Sequence, residues 1–163
     1  MNPLETPFIS RMRRSHALEH ATMHILARRH PNLRLMGRTA LEGFYLYGMV
    51  ETEEVASAAE EALARLQAGE SELAIHPQCG TNLVVSGILA GLFSLAATRG
   101  RKESLLGKLP RVILAATMAT ILAQPLGPLL QKYVTTSSEM EGVSIERIIR
   151  WGRGLHQVKL SFQ

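Results

Sequence analysis

His16, Glu19 and His20 lie within five residues of one another in the stretch His16-Ala17-Leu18-Glu19-His20. On an α-helix, residues four apart are neighbours, so the two imidazoles point the same way and the Glu19 carboxylate sits on nearly the same face. The order H-x-x-E-H is the inverted zincin pattern, in which two histidines bind zinc and the glutamate beside them acts as general base. His24 extends the stripe by another turn. The competing reading is a polar helix face engaged in ordinary hydrogen bonds.

A catalytic zinc needs a third protein ligand and an open position for water. His76 and Cys79, in His76-Pro77-Gln78-Cys79-Gly80, are the candidates, and their spacing lets both reach one metal. If both join His16 and His20 the site is closed and structural. If one joins, water takes the fourth position and Glu19 is placed to accept its proton. His24, Asn82 and His156 are candidates to support these ligands from behind. Asn82 or Thr81 also reads as the cap of a following helix, and His156 as a half-exposed strand residue. Tyr45 and Tyr47 share one face of their strand and read as packing or surface residues, with an oxyanion-stabilising hydroxyl as the functional alternative.

The elements that must position these groups follow from periodicity. Ser10 is the expected N-cap of a helix over Arg11–Arg29, which His30-Pro31 stops because the residue before proline resists the α region. Leu33–Met36 is a short apolar run. Gly43–Val50 is aromatic and β-branched and reads as a strand. Thr52 is the expected cap of a helix from Glu53 to Ala68, with Val55, Ala58, Ala59, Ala62, Leu63 and Leu66 as its apolar face and Gly69 ending it. Glu72–His76 reads as a strand, which would complete a β-α-β unit over residues 43–76. Val143–Trp151 reads as a short helix. Leu155–Phe162 alternates and reads as a strand that can return to the N-terminal sheet.

Between these lie two uncharged runs, Leu83–Thr98 and Val112–Gln131, joined by the basic loop 99–111. Gln124-Pro125 and Gly127-Pro128 break the second. Each run is near the lower limit for crossing a bilayer, roughly 17–25 residues, and their small residues suit close helix–helix contact. A membrane hairpin, transmembrane or re-entrant, is the favoured reading over a buried hairpin of a soluble protein. Trp151, with Arg150 and Arg153, fits a bilayer interface. The expected fold class is α+β, a small helix-plus-sheet domain with an inserted two-helix membrane hairpin. Residues 1–82 form the N-terminal domain carrying H-x-x-E-H, 83–131 the hairpin, and 132–163 a helix/strand segment packing back on the N-terminal domain.

The net charge of +4 over 163 residues is modest, and the few aromatic residues do not alternate with basic ones, which argues against a nucleic-acid partner. One cysteine, Cys79, excludes an intrachain disulfide. Arg11, Arg13 and Arg14 are followed by no signal-peptide core, so export by the usual route is not expected. A basic hairpin loop points to the cytoplasm, and so does an unsignalled Arg-bearing domain. Two full spans would put them on opposite sides, which a re-entrant hairpin avoids, as does an amphipathic, monotopic one.

Two resemblances follow. His16-Ala17-Leu18-Glu19-His20-Ala21-Thr22, Gly43-Phe44-Tyr45-Leu46-Tyr47-Gly48, Glu61–Leu66 with Gly69-Glu70, and His76-Pro77-Gln78-Cys79-Gly80-Thr81-Asn82 together resemble an uncharacterised family of small bacterial membrane proteins with HALEHAT-like and HPxCGTN-like motifs. That resemblance implies a bacterial cytoplasmic membrane and no particular activity. Residues 14 to 68 are similar to pitrilysin-type inverzincin metallopeptidases, which implies His16 and His20 as zinc ligands and Glu19 as general base. Those enzymes are several times longer and take a glutamate ligand from a later helix, where this chain has its apolar hairpin. The leading expectation is a membrane-anchored zinc-dependent hydrolase, most simply a peptidase. The alternative is a non-catalytic accessory subunit or assembly factor of a membrane complex, or a homo-oligomer, and a third is haem binding through histidines.

Overall fold

The computed structural model describes residues 3–99 and 104–163. Part of the expected basic loop, residues 100–103, lies outside the described residues. The chain divides into two compact units, one made of residues 1–76 and 132–163 and the other of residues 77–131.

The first unit begins with helix α1, Pro7–Arg29. It starts one turn before the expected Ser10 cap, because Pro7 occupies the first helical position, where its fixed φ is already helical and its missing N–H costs nothing. It ends before His30-Pro31. Strands β1 (Met36–Ala40) and β2 (Gly43–Tyr47) form an antiparallel hairpin. Helix α2 (Thr52–Gln67) follows, with Glu51 in the N-cap position and Thr52 already helical. The expected strand at Glu72–His76 is instead a 3-10 turn over Ser71–Ala74, so there is no β-α-β unit. With no neighbouring strand to pair with, this short segment satisfies its amides locally.

Strands β3 (Val143–Gly152) and β4 (Leu155–Phe162) complete the sheet in the order β1-β2-β4-β3, antiparallel throughout. The helix expected over Val143–Trp151 is thus a strand. Its β-branched run, Val143, Ile145, Ile148 and Ile149, fits a pleated surface better than a helix face. β4 does return to the N-terminal hairpin, pairing with β2 from Gly43↔Lys159 to Tyr47↔Leu155. Gly43 is required at that junction: its φ is +132°, and a Cβ there would lie 2.0 Å from the Val158 carbonyl oxygen.

One face of the sheet carries α1, mainly over β1 and β2, and α2 over β3 and β4. Leu18, Ala21, Ile25 and Leu26 of α1 meet Val55, Ala58, Ala59, Ala62 and Leu66 of α2 and Phe44, Leu46, Val158 and Leu160 of the strands. The alanines of α2 let the two helices approach closely over the sheet, and the larger aliphatic groups fill the space beneath.

The second unit is a pair of packed helices, α3 (Gly80–Thr98) and α4 (Leu105–Leu130). α4 is one continuous helix, not interrupted at Pro125 and Pro128 as expected, and it starts at Leu105, inside the predicted loop. The Ser104 hydroxyl accepts from the Gly107 N–H and caps it. Helices in apolar surroundings tolerate internal prolines because neighbouring groups satisfy the carbonyls that lose a donor. Asn82 is a clasp in this unit: its amide donates to the Pro77 carbonyl, its Oδ1 accepts from Gln131, and it packs on Gly127, where a Cβ would meet Oδ1 at 2.2 Å. Both helices are long and apolar enough to cross a membrane, and they expose Leu83, Ile88, Leu92, Ile113, Leu114 and Ile121.

His156, expected half-exposed, is fully buried at the centre of the sheet, its Nε2 3.1 Å from the Thr52 hydroxyl at the start of α2. Its Nδ1 has no hydrogen-bond partner among the described residues. Burial, and then the Arg150 cation, hold its pKa below the ordinary value against the opposing pull of Glu51 and Glu53. The unfolded chain therefore binds more protons than the folded one below about pH 6.5, and stability must fall as pH drops through that value. In metal-free protein the wild type should lose denaturation midpoint between about pH 7 and pH 5, whereas His156→Gln, which does not titrate, should show a flatter profile. Parallel profiles would remove His156 as the source.

Candidate metal centre

The histidine stripe of α1, with His20 buried and His16 and His24 half-buried, lies against two segments of main chain. His16 Nδ1 lies 2.9 Å from the Thr135 carbonyl oxygen, and His20 Nδ1 lies 2.8 Å from that of Ala74. A carbonyl only accepts, so in the neutral rings Nδ1 carries the proton and Nε2 carries the lone pair. This is how metal-binding histidines are usually held, with the far nitrogen donating to a backbone oxygen. His24 is set the other way, its Nε2 donating to the Ile75 carbonyl at 2.8 Å.

The rings form a continuous row. The His16 and His20 centroids are 4.3 Å apart, those of His20 and His76 5.6 Å, and those of His24 and His76 4.7 Å. Burial, then the neighbouring His24 and His20, lower the pKa of His76 to about 4, so it is neutral at physiological pH.

Ligand atoms of His16, His20 and Cys79 all lie within 4.8 Å of one another, and these three residues could hold a metal ion. Around a tetrahedral zinc, ligand atoms stand roughly 3.5 Å apart, given bond lengths of about 2.0–2.3 Å. Two imidazoles with a thiolate are a donor set that zinc accepts. Cys79 is also the N-cap of α3, its sulfur accepting from the Thr81 N–H at 3.4 Å, and an anionic sulfur is favoured at a helix N-terminus. Of the two candidate third ligands, Cys79 belongs to the gathered group, and His76 stands beside His20 and His24.

Glu19 is 5% exposed, and the Thr39 hydroxyl of β1 donates to its Oε2 at 2.6 Å. It also packs on Gly37, where a Cβ would fall 2.1 Å from Oε1. Sequence reasoning did not find Gly37 or Thr39. They lie on the same face of β1, two residues apart, and the only signal was a glycine and a hydroxyl at alternate strand positions facing a helix that carries a lone carboxylate. His156 bonds to Thr52, and Asn82 to Pro77 and Gln131. Neither is in the gathered group.

The family model described as a domain of unknown function, DUF6391, matches residues 11–148. The chain belongs to the DUF6391 family. It is 36% identical, over 166 aligned positions covering 93% of this chain and 80% of the relative, to an uncharacterized protein of Picosynechococcus sp.. No solved structure matches. The matched region holds the histidine stripe, Glu19, His76, Cys79 and both apolar helices.

The tight fit of Glu19 against β1 makes Gly37 and Glu19 an energetic pair. Gly37→Ala should lower stability by about 1–3 kcal/mol through overpacking. In the Glu19→Ala background the same change should cost much less, a coupling that a double-mutant cycle of chemical denaturation measures. Additive losses would show that the carboxylate is not held against Gly37.

Proposed function

We propose that this chain is a membrane-anchored zinc protein of hydrolase type, with His16, His20 and Cys79 as the metal ligands and Glu19 as general base. One observation carries the reading: two imidazoles whose Nδ1 atoms face backbone carbonyls, which leaves Nε2 as the lone-pair nitrogen, each bring a ligand atom within 4.8 Å of the other's and of a single sulfur. Three protein ligands leave one position of a tetrahedral zinc for water, as catalytic sites do.

When bound, zinc would supply Lewis-acid polarisation and make water acidic near neutral pH. Glu19 would accept the proton and pass it to the leaving group, a peptide amine being the simplest case. Thr39 would hold the carboxylate in one orientation through Oε2. A polar cavity of about 330 Å³, bounded by Ser71, Glu72, Lys132 and Thr136, shares the Ala74–Ile75 wall with the acceptors of His20 and His24. It offers a substrate a place beside the site. The two apolar helices would anchor the protein in the bacterial cytoplasmic membrane, with the helix-and-sheet unit on the cytoplasmic side.

A second reading rests on His76. Its ring is 5.6 Å from that of His20, and as a fourth ligand it would close the site and leave a structural metal in an accessory subunit or assembly factor. Elemental analysis of detergent-purified protein, paired with peptide-hydrolysis assays, separates the two. On the hydrolase reading the wild type carries one zinc, His20→Ala and Cys79→Ser lose it, and Glu19→Gln keeps it while activity drops by about 10²-fold or more. Zinc lost in His76→Ala, with no hydrolysis by the wild type, would establish the closed site. A folded protein that takes up no zinc would end both.

A further inference from the structure

The outer face of the sheet, opposite α1 and α2, carries a second feature unrelated to the metal centre. An open cleft of about 540 Å³ is lined by Arg38 of β1, Tyr45 and Tyr47 of β2, Leu155 of β4 and Trp151 of β3. It therefore crosses all four strands. The register explains why: Arg38 pairs with Tyr45, Tyr45 with Gln157, and Tyr47 with Leu155. Phe44 and Leu46, the alternate residues of β2, fill the core, so the two tyrosines are held on the other face by the strand's own period.

The lining has the character of a binding site more than of a solvated surface. The Trp151 indole N–H donates to Gln157 Oε1 at 3.0 Å, which fixes the ring against the sheet although the residue is 63% exposed. Tyr45 and Tyr47, two positions apart on one strand, have Cβ atoms about 7 Å apart. That is about twice the 3.5 Å contact distance of stacked carbon atoms, so the spacing admits one planar ring between them. The other cations along the strands have acidic neighbours: Arg147 pairs with Glu146, Lys159 with Glu42, and Arg150 with Glu51. The Arg38 side chain makes no ion pair or hydrogen bond among the described residues. Its guanidinium stands at the rim of an aromatic cleft with no carboxylate to neutralise it, and such a group prefers a bidentate anion such as phosphate.

We propose that this cleft binds a small planar aromatic anion of the nucleoside monophosphate class, the ring stacking on Tyr45, Tyr47 and Trp151 and the phosphate meeting Arg38. The volume suits one such molecule. Because Trp151 is the chain's single tryptophan, its fluorescence reports on this cleft alone.

The test is a fluorescence titration of the full chain in detergent with adenosine 5′-monophosphate, adenosine and ribose 5-phosphate. The monophosphate should quench Trp151 saturably. Adenosine, lacking the anion, and ribose 5-phosphate, lacking the ring, should each bind roughly tenfold more weakly. Arg38→Gln and Tyr47→Leu should each weaken the monophosphate by roughly tenfold while leaving far-ultraviolet circular dichroism and zinc content unchanged. Absence of saturable quenching in the wild type overturns the proposal. So does equal affinity in folded Arg38→Gln, or ribose 5-phosphate binding as well as the nucleotide. A Trp151 response to anionic phospholipid vesicles but not to the nucleotide also overturns it, and would identify the face as a bilayer contact.

Discussion

The helix-and-sheet unit depends on imidazole N–H groups of α1 meeting main-chain carbonyls at the ends of two short helical turns, Ser71–Ala74 and Gln131–Thr135, and at Ile75 just beyond the first. His16 reaches Thr135, His20 reaches Ala74 and His24 reaches Ile75. Each contact gives a main-chain carbonyl a side-chain donor, and an unsatisfied buried carbonyl is costly. The same contacts fix the tautomers. Folding and metal-site geometry are thus served by one set of bonds, and the segments on either side of the hairpin are pinned to a single helix.

A second constraint acts at right angles to the first. Glu19 turns toward β1, and it can be buried there because Gly37 has no side chain and Thr39 supplies a hydroxyl. A buried carboxylate without a donor would be strongly destabilising. α1 therefore turns the His16 and His20 imidazoles to the Thr135 and Ala74 carbonyls while its Glu19 carboxylate is held by Thr39 of β1. The three residues are neighbours on one stretch of helix surface, so both sets of contacts form within a regular helix.

What the sequence revealed follows from which interactions are periodic. α1, α2, β2 and β4 were legible because burial repeats at 3.6 or 2 residues along them, and the two apolar helices because each holds an uncharged run near bilayer-crossing length. The pairing of His16 and His20 was legible for the same reason. Cys79 was legible only as one of two candidates, because its meeting with α1 depends on tertiary structure. Misreadings fell where local and tertiary preferences compete. Residues 72–76 are apolar enough for a strand but lack a partner, and Val143–Trp151, read as a short helix, is a β-branched run that pairs with β4. Pro125 and Pro128 would break a helix in water, yet they lie within α4. The acceptors Ala74, Ile75 and Thr135 could not have been read at all, since any residue type provides a carbonyl.

The order β1-β2-β4-β3 also governs timing. β2 finds its inner partner in residues 155–162, and His16 finds its acceptor 119 residues later. During synthesis, α1 and the first hairpin leave the ribosome with their central sheet edge open and His16 without its acceptor. Both apolar helices emerge before either gap can close. The histidine-bearing unit is consequently a late product of chain assembly, completed only after the apolar helices have been made, and such long-range closure is intrinsically slow. Until then α1 must be kept from other partners, and the exposed edge of β2 is the place where a premature contact would form.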